Sequence, residues 1–111
     1  MNIRFISTKL QKVLCTEKEL VRHYGSKNAQ KIQNRLVLLR NAPTLAQMPS
    51  TPPYRCHPLK GDYAGCFAVD VNHPFRIIFR PAHTPVPTKE DGGIDLTAVT
   101  DIEILDIKDY H

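Results

Sequence analysis

The sequence contains no tryptophan and only three cysteines among its 111 residues. Cys15, Cys56 and Cys66 are odd in number and form no CxxC pair, so free thiols in a reducing compartment are expected. A zinc site that combined two of them with His57 and His73 would match no common ligand spacing. We therefore expect neither a metal nor another cofactor.

Long apolar runs are absent as well. No stretch approaches the roughly 18 apolar residues of a membrane span, so no membrane contact is expected. Residues 1–5 lack the apolar segment of a signal peptide, which predicts a cytoplasmic location. The chain also lacks a glycine-rich phosphate loop and a nucleophile elbow, so neither P-loop nor serine-hydrolase chemistry is indicated.

The remaining composition is that of a globular protein, with 41% hydrophobic and 23% charged residues. At this length we expect a single domain over residues 1–111. Residues 1–60 have a charge balance of +9 and residues 61–111 one of −5. This asymmetry fits either a polyanionic partner for the basic half or a solvated basic helix face paired with an acidic strand region.

The basic half is predicted to be mainly helical. We expect a strand at residues 3–6 and helices at residues 7–14, from Thr16 to about Tyr24, and at about residues 27–41. Thr16 begins a capping box, Gly25 ends a helix, and Ser26 can cap the next one. In the longest helix, an apolar stripe with a 3, 4, 3 spacing consists of Ala29, Ile32, Leu36 and Leu39. Its polar face carries three basic residues four positions apart, Lys27, Lys31 and Arg35.

The second half is predicted to form strands. Residues 67–71 and 75–80 alternate apolar and polar side chains around a turn, which predicts an antiparallel hairpin. Arg76 and Arg80 then point away from the core. Residues 81–97 contain three prolines and two glycines and are expected to form a long, mobile loop. In a last strand at residues 99–107, the alternation of apolar residues shifts by one position. This shift indicates a bulge or a strand covered on both sides. The predicted class is α+β, with N-terminal helices packed on one face of a small antiparallel sheet.

One set of polar residues suggests chemistry without a metal. RNA carries its own nucleophile, the 2′-hydroxyl, so its cleavage needs a base, an acid and cations around the phosphate. Imidazoles titrate near neutral pH and suit proton transfer, whereas arginine and lysine suit phosphate. The residues are His57 and Lys60 after the proline-rich stretch, Arg76 in the hairpin, and Asp109, Tyr110 and His111 in the tail. Each also has an ordinary structural interpretation, such as a loop histidine, a solvated lysine, an Arg76–Asp70 ion pair or a frayed tail.

Three stretches of the sequence resemble one family. His57-Pro58-Leu59-Lys60-Gly61-Asp62 resembles the HPLKGD motif of HigB-type toxins, the plasmid maintenance system killer proteins. Asn72-x-x-Phe75-Arg76-Ile77-x-Phe79 resembles their hairpin signature, and Asp109-Tyr110-His111 resembles their closing DYH. Phe67 stands where these toxins often have tryptophan, and residues 81–97 replace a tight turn.

The resemblance implies a RelE/ParE-like fold and a type II toxin that cleaves translated mRNA in the aminoacyl site of the 70S ribosome. It also implies a HigA-type helix-turn-helix antitoxin, through which alone the toxin meets operator DNA. The catalytic residues implied are His57, Lys60, Arg76, Asp109, Tyr110 and His111. The residues expected to contact RNA are Lys27, Lys31, Arg35, Arg55 and Arg80. A gyrase-poisoning, ParE-like toxin and an inactive member that binds only antitoxin and DNA remain as alternatives.

Overall fold

The computed structural model describes residues 1–109, so Tyr110 and His111 lie outside the described residues. The chain forms three α-helices and one five-stranded sheet. Their order is β1 (Asn2–Phe5), α1 (Thr8–Leu14), α2 (Glu17–Tyr24), α3 (Ser26–Asn41), β2 (His57–Pro58), β3 (Phe67–Asn72), β4 (Phe75–Pro81) and β5 (Asp101–Asp109). In this part of the chain, no helix is long and apolar enough to cross a membrane.

The helices begin and end close to the predicted positions. Ser7 caps α1 by accepting a 3.0 Å hydrogen bond from the Leu10 amide. Thr16 precedes α2, but its side chain makes no capping hydrogen bond, so the predicted capping box does not form. Gly25, at φ 83°, ends α2 and is also the residue before α3. The predicted cap at Ser26 is therefore wrong by one position, because Ser26 is already helical.

The apolar stripe of α3 joins the helices to the sheet. All four predicted stripe residues are buried, and they share one hydrophobic core with side chains of β3, β4 and β5. A helix with one apolar stripe is stable only when that stripe is covered, and here the sheet covers it. This arrangement confirms the predicted α+β class with helices on one face of the sheet.

The strand order is β1-β5-β4-β3-β2. The predicted hairpin of β3 and β4 is confirmed, with Val69 opposite Ile77. In β5, Ile104 pairs with Phe79 and Asp106 pairs with Ile78, so Leu105 is an extra residue, and the predicted bulge is confirmed. The expectation of a wholly antiparallel sheet is wrong at one edge, because β1 runs parallel to β5.

The segment between β4 and β5 has more structure than its composition predicted. Thr88 and Ile94 form an antiparallel bridge, and a 3-10 turn spans Leu96–Ala98. His83 Nε2 accepts hydrogen bonds from the amides of Thr100 and Asp101 at 3.1 and 3.3 Å. Residues 82–97 therefore form a long loop with a bridge and a short turn of its own, attached to the start of β5 through His83; the predicted mobility stays a prediction.

Candidate functional site

The face of the sheet that points away from the helices, here called the open face, carries the predicted arginines. Arg76 and Arg80 alternate along β4 with core residues, as expected. Arg76 lies opposite Asp70 on one side and Lys108 on the other. His57 is opposite Ala68, which is opposite Ile78, so His57 belongs to the same face.

The segment of residues 59–66, here called the β2–β3 loop, folds back over this open face. The Nζ atom of Lys108 lies 4.7 Å from the centroid of the Tyr63 ring. Tyr63 follows β2 and Lys108 lies on β5, and those strands are three steps apart, about 14 Å. Ala68 and Ile78 lie between them and are fully buried although they face away from the helices. The loop therefore crosses the sheet and brings Tyr63 to Lys108 near the end of β5, while His57 stays in β2.

A positive backbone angle shapes the start of this loop. Gly61 has φ 66°, a conformation that glycine adopts without steric cost. A 3-10 turn follows over Gly61–Tyr63, and the amide of Leu59 donates to the Cys66 carbonyl at 2.9 Å. Lys60 is exposed just before the turn. The local sequence thus determines the turn at Gly61, which lies between exposed Lys60 and Tyr63.

Asp70 holds two arginines on the open face. Its carboxylate accepts a 2.8 Å hydrogen bond from Arg55 Nε and lies 3.2 Å from Arg76 Nε. The contact with Arg76 is a charge interaction rather than an aligned hydrogen bond, because the Asp70 Oδ1 atom has no hydrogen-bond partner among the described residues. The hydrogen bond and the charge of Asp70 raise the pKa of Arg55. The Asp70 carboxylate therefore lies between two guanidinium groups on the open face.

His57 is oriented by the backbone next to it. Its Nδ1 atom lies 2.6 Å from the carbonyl oxygen of Arg55. A carbonyl can only accept a hydrogen bond, so Nδ1 must carry the proton. In the neutral ring, Nε2 then carries the lone pair and is the atom that can accept a proton from a substrate. Arg55 adopts φ 46°, which is uncommon for a residue other than glycine, at the position that supplies this carbonyl.

The tail residues follow from the end of β5. Asp109 is the last residue of that strand, is exposed and pairs with Phe75. Tyr110 and His111 lie outside the described residues. Tyr63 and Lys108 were not selected from the sequence as site residues, although each directly adjoins a selected motif. Their contact brings the first and last motifs to the same region.

The three basic residues of α3 do not share one solvated face. Lys27 is exposed, Lys31 is half-buried and reaches Asn72 Oδ1 at 3.3 Å, and Arg35 is buried at 6% exposure. Four residues turn a helix by about 40° more than one full turn, so a row of residues spaced by four drifts towards the apolar stripe. The expectation that Arg35 is solvated is therefore corrected, and its predicted RNA contact stays a prediction. The role predicted for Lys27 stays a prediction.

The cysteines near the site do not offer a reactive thiolate. Burial raises the pKa of Cys56 to about 12. Burial also raises the pKa of Cys66, and the nearby Arg80 opposes that effect. Within residues 1–109, no three His, Cys, Asp or Glu side chains are grouped so that they could hold a metal ion.

Alkylation should distinguish these thiols. At pH 8 in the native protein, we expect exposed Cys15 to react first with iodoacetamide. Cys56 should react more slowly, because a pKa near 12 lowers its thiolate fraction about 10³-fold relative to an ordinary thiol. Peptide mass spectrometry measures both rates, and unfolding in urea should make them similar. Equal rates in the native state would contradict the burial of Cys56.

No protein-family model matches the sequence, and no curated protein does. Solved structures do match. A YoeB/ParE toxin from Agrobacterium tumefaciens is 18% identical with a TM-score of 0.56, over 100% of both chains. A chain of a YoeB-YefM complex from Staphylococcus aureus is 17% identical with a TM-score of 0.55, over 100% of this chain and 97% of that one. A YoeB dimer from Staphylococcus aureus is 20% identical with a TM-score of 0.52, over the same shares.

These likenesses establish the fold. At 17–20% identity they extend over 100% of this chain, from β1 to the tail. The chain has the fold of the YoeB/ParE toxins, which confirms the RelE/ParE-like fold predicted from the motifs. None of the three carries the name HigB, so that narrower assignment depends on the sequence motifs.

Proposed function

We propose that this chain is the toxin of a type II toxin–antitoxin pair, of the HigB type, and a ribosome-dependent endoribonuclease that cuts translated mRNA. The fold and three ordered motifs support the proposal. The single observation that carries it is the contact of Tyr63 with Lys108. It brings the loop that follows His57 to the strand that leads into Asp109, Tyr110 and His111, as a shared site requires.

In the proposed reaction, His57 is the general base. Its Nε2 takes the proton from the 2′-hydroxyl of the RNA, because Nδ1 is already engaged by the Arg55 carbonyl. The 2′-oxygen then forms a bond to phosphorus, the bond from phosphorus to the 5′-oxygen breaks, and a 2′,3′-cyclic phosphate results. His111 is proposed as the acid that protonates the leaving 5′-oxygen. No step needs a metal ion or an oxidant.

Cations stabilise the crowded phosphate in this proposal. Arg76, held by Asp70, and exposed Lys60 supply positive charge where negative charge develops. Arg55 adds a further guanidinium from the other side of Asp70. Asp109 is proposed to orient His111, and Tyr110 to stack on an unstacked base.

The proposed partners follow from the same assignment. Two of the matching solved structures are described as YoeB-YefM complexes, one of them a heterotetrameric toxin-antitoxin complex. We propose an antitoxin for this chain too, of the HigA helix-turn-helix type, with operator DNA contacted only through it. The substrate-bearing partner is the 70S ribosome, and the proposed location is the cytoplasm.

Primer extension on mRNA after induction of the chain tests the activity. Discrete breaks within translated regions are expected, both after induction and on purified ribosomes. Intact mRNA with trapped gyrase–DNA adducts would instead support a ParE-like poison, an alternative that the YoeB/ParE name of one neighbour keeps open. Intact mRNA without adducts or growth arrest would indicate an inactive member.

Deleting Tyr110 and His111 should lower the cleavage rate by at least about 10²-fold, because a positioned acid contributes about 10²–10⁴-fold. The variant keeps residues 101–109, which form β5, so circular dichroism should show a folded protein. Cleavage at the full rate after this deletion would remove the tail from the proposed machinery.

A further inference from the structure

A second pair of arginines lies on the open face, away from the proposed catalytic residues. The parallel pairing of β1 with β5 places Arg4 opposite Glu103, and the antiparallel pairing of β4 with β5 places Arg80 opposite the same residue. Glu103 is buried at 9% exposure. Arg4, Glu103 and Arg80 thus form one cluster across three strands, although Arg4 and Glu103 are almost a whole chain apart in sequence.

The contacts fix both guanidinium groups while leaving them accessible. Arg80 donates from Nε and Nη2 to Glu103 Oε1 at 3.0 and 2.6 Å. Arg4 Nε lies 3.3 Å from Glu103 Oε2. The Arg4 and Arg80 side chains are nevertheless 65% and 51% exposed. One carboxylate therefore holds two arginines by their Nε sides, and the cluster keeps one net positive charge.

Such a pair suits the phosphate backbone of a nucleic acid. A guanidinium presents N–H donors in a planar fork that matches the oxygens of a phosphate, and arginine binds phosphate bidentately for this reason. Glu103 restricts the two side chains before any ligand arrives, so less rotational freedom is lost on binding.

The position of the cluster connects it to the proposed site. Arg80 lies four residues beyond Arg76 on β4, which is about 13 Å along the strand on the same face. The β2–β3 loop covers Ile78 between the two arginines, so an RNA strand whose scissile phosphate lies near Arg76 would pass over this loop and reach Arg80 within several nucleotides. We propose that Arg4 and Arg80, positioned by Glu103, form a second phosphate-binding subsite for RNA, and this subsite rests on the proposed function.

Binding of a non-cleavable RNA tests the subsite. We would titrate the full chain with a fluorescent single-stranded 2′-O-methyl RNA at several salt concentrations, and separately measure its co-sedimentation with 70S ribosomes. Arg4→Ala and Arg80→Ala should each weaken binding about 3- to 10-fold and reduce the salt slope by about 0.7 in the oligonucleotide titration, the value for one lost phosphate contact on a single strand. Weaker binding of the oligonucleotide identifies the mRNA strand as the source of the phosphate. Weaker co-sedimentation with ribosomes, with oligonucleotide binding unchanged, identifies ribosomal RNA.

Matched variants control for charge and stability. Each single variant leaves Glu103 one arginine partner, so the buried carboxylate is not left alone. Arg22→Ala removes the same charge from an exposed arginine of α2, on the helical side, and should change RNA binding little. Arg4→Lys keeps the positive charge but loses the planar fork of N–H donors, so its affinity for RNA should lie between those of Arg4→Ala and the unaltered chain.

Different results would contradict the subsite and the proposed function. If Arg4→Ala and Arg80→Ala match Arg22→Ala in both assays while the unaltered chain still cleaves mRNA, the subsite is wrong and the nuclease proposal stands. Weaker antitoxin binding with unchanged RNA binding would also overturn the subsite. If the unaltered chain binds neither the oligonucleotide nor ribosomes, both proposals fall.

Discussion

Replacing His57 with alanine is expected to lower the rate of ribosome-dependent mRNA cleavage by about 10²–10⁴-fold, the contribution of one positioned proton transfer. The hydrogen bond from Nδ1 to the Arg55 carbonyl leaves Nε2 as the atom available to take a proton. Alanine removes that atom and leaves the ion pairs of Asp70 in place. Cleavage of a defined mRNA on purified ribosomes, followed by primer extension, measures the rate.

His73→Ala is the matched control for this experiment. His73 lies in the turn between β3 and β4 and is exposed, so the His73→Ala variant should cleave mRNA at the rate of the unaltered chain. The His57 variant should also bind the non-cleavable RNA and the antitoxin normally, because its loss concerns proton transfer rather than binding. If His57→Ala cleaves within a few-fold of the unaltered chain, His57 is not the base, and the proposed reaction must be assigned to other residues.

The candidate residues could be selected from the sequence because they fall in short motifs. Lys60 and His57 are three positions apart, and alternation along one strand places Arg76 on the open face. The contact that joins the motifs was not predictable in the same way. Tyr63 meets Lys108 only because the β2–β3 loop crosses three strands. No local pattern of polar and apolar residues encodes the direction in which such a loop folds.

The same distinction separates the elements that were predicted from those that were missed. The stripe of α3 and the β3–β4 hairpin have a local period, and both formed as expected. The pairing of β1 with β5 is a contact between the two ends of the chain, and it creates the Arg4–Glu103 pair. Periodicity identifies a strand but does not name its neighbour, so neither the parallel edge nor this ion pair could be predicted from the sequence.

Arg35 shows why a helical spacing of four misleads over about two turns, and its replacement should have the largest effect on stability. We expect Arg35→Met to lower the free energy of unfolding by about 2–4 kcal/mol, since one buried and one part-buried carbonyl lose a charged donor. Arg35 Nε donates to the Asp70 carbonyl at 2.9 Å and Nη2 to the Val71 carbonyl at 3.2 Å. Urea unfolding followed by circular dichroism measures the change.

The reason for this cost lies at the edge of the sheet. Strand β2 has only two residues, so β3 has no outer neighbour beyond Ala68. The Asp70 amide donates instead to the Tyr54 carbonyl at 2.7 Å, and Arg35 supplies the donors that a longer strand would have provided. The Arg35 guanidinium also lies 4.7 Å from the centroid of the Tyr54 ring, so methionine keeps part of the packing but none of the donors.

Lys27→Met is the control that separates this structural role from RNA binding. Lys27 is exposed on the same helix, so its loss should change the free energy of unfolding by no more than about 0.5 kcal/mol. If Lys27 contacts RNA as predicted, Lys27→Met should reduce the salt dependence of RNA binding. An Arg35→Met protein of unaltered stability that bound RNA more weakly would reverse the assignment, and would mean that Arg35 leaves the Asp70 and Val71 carbonyls to reach a phosphate.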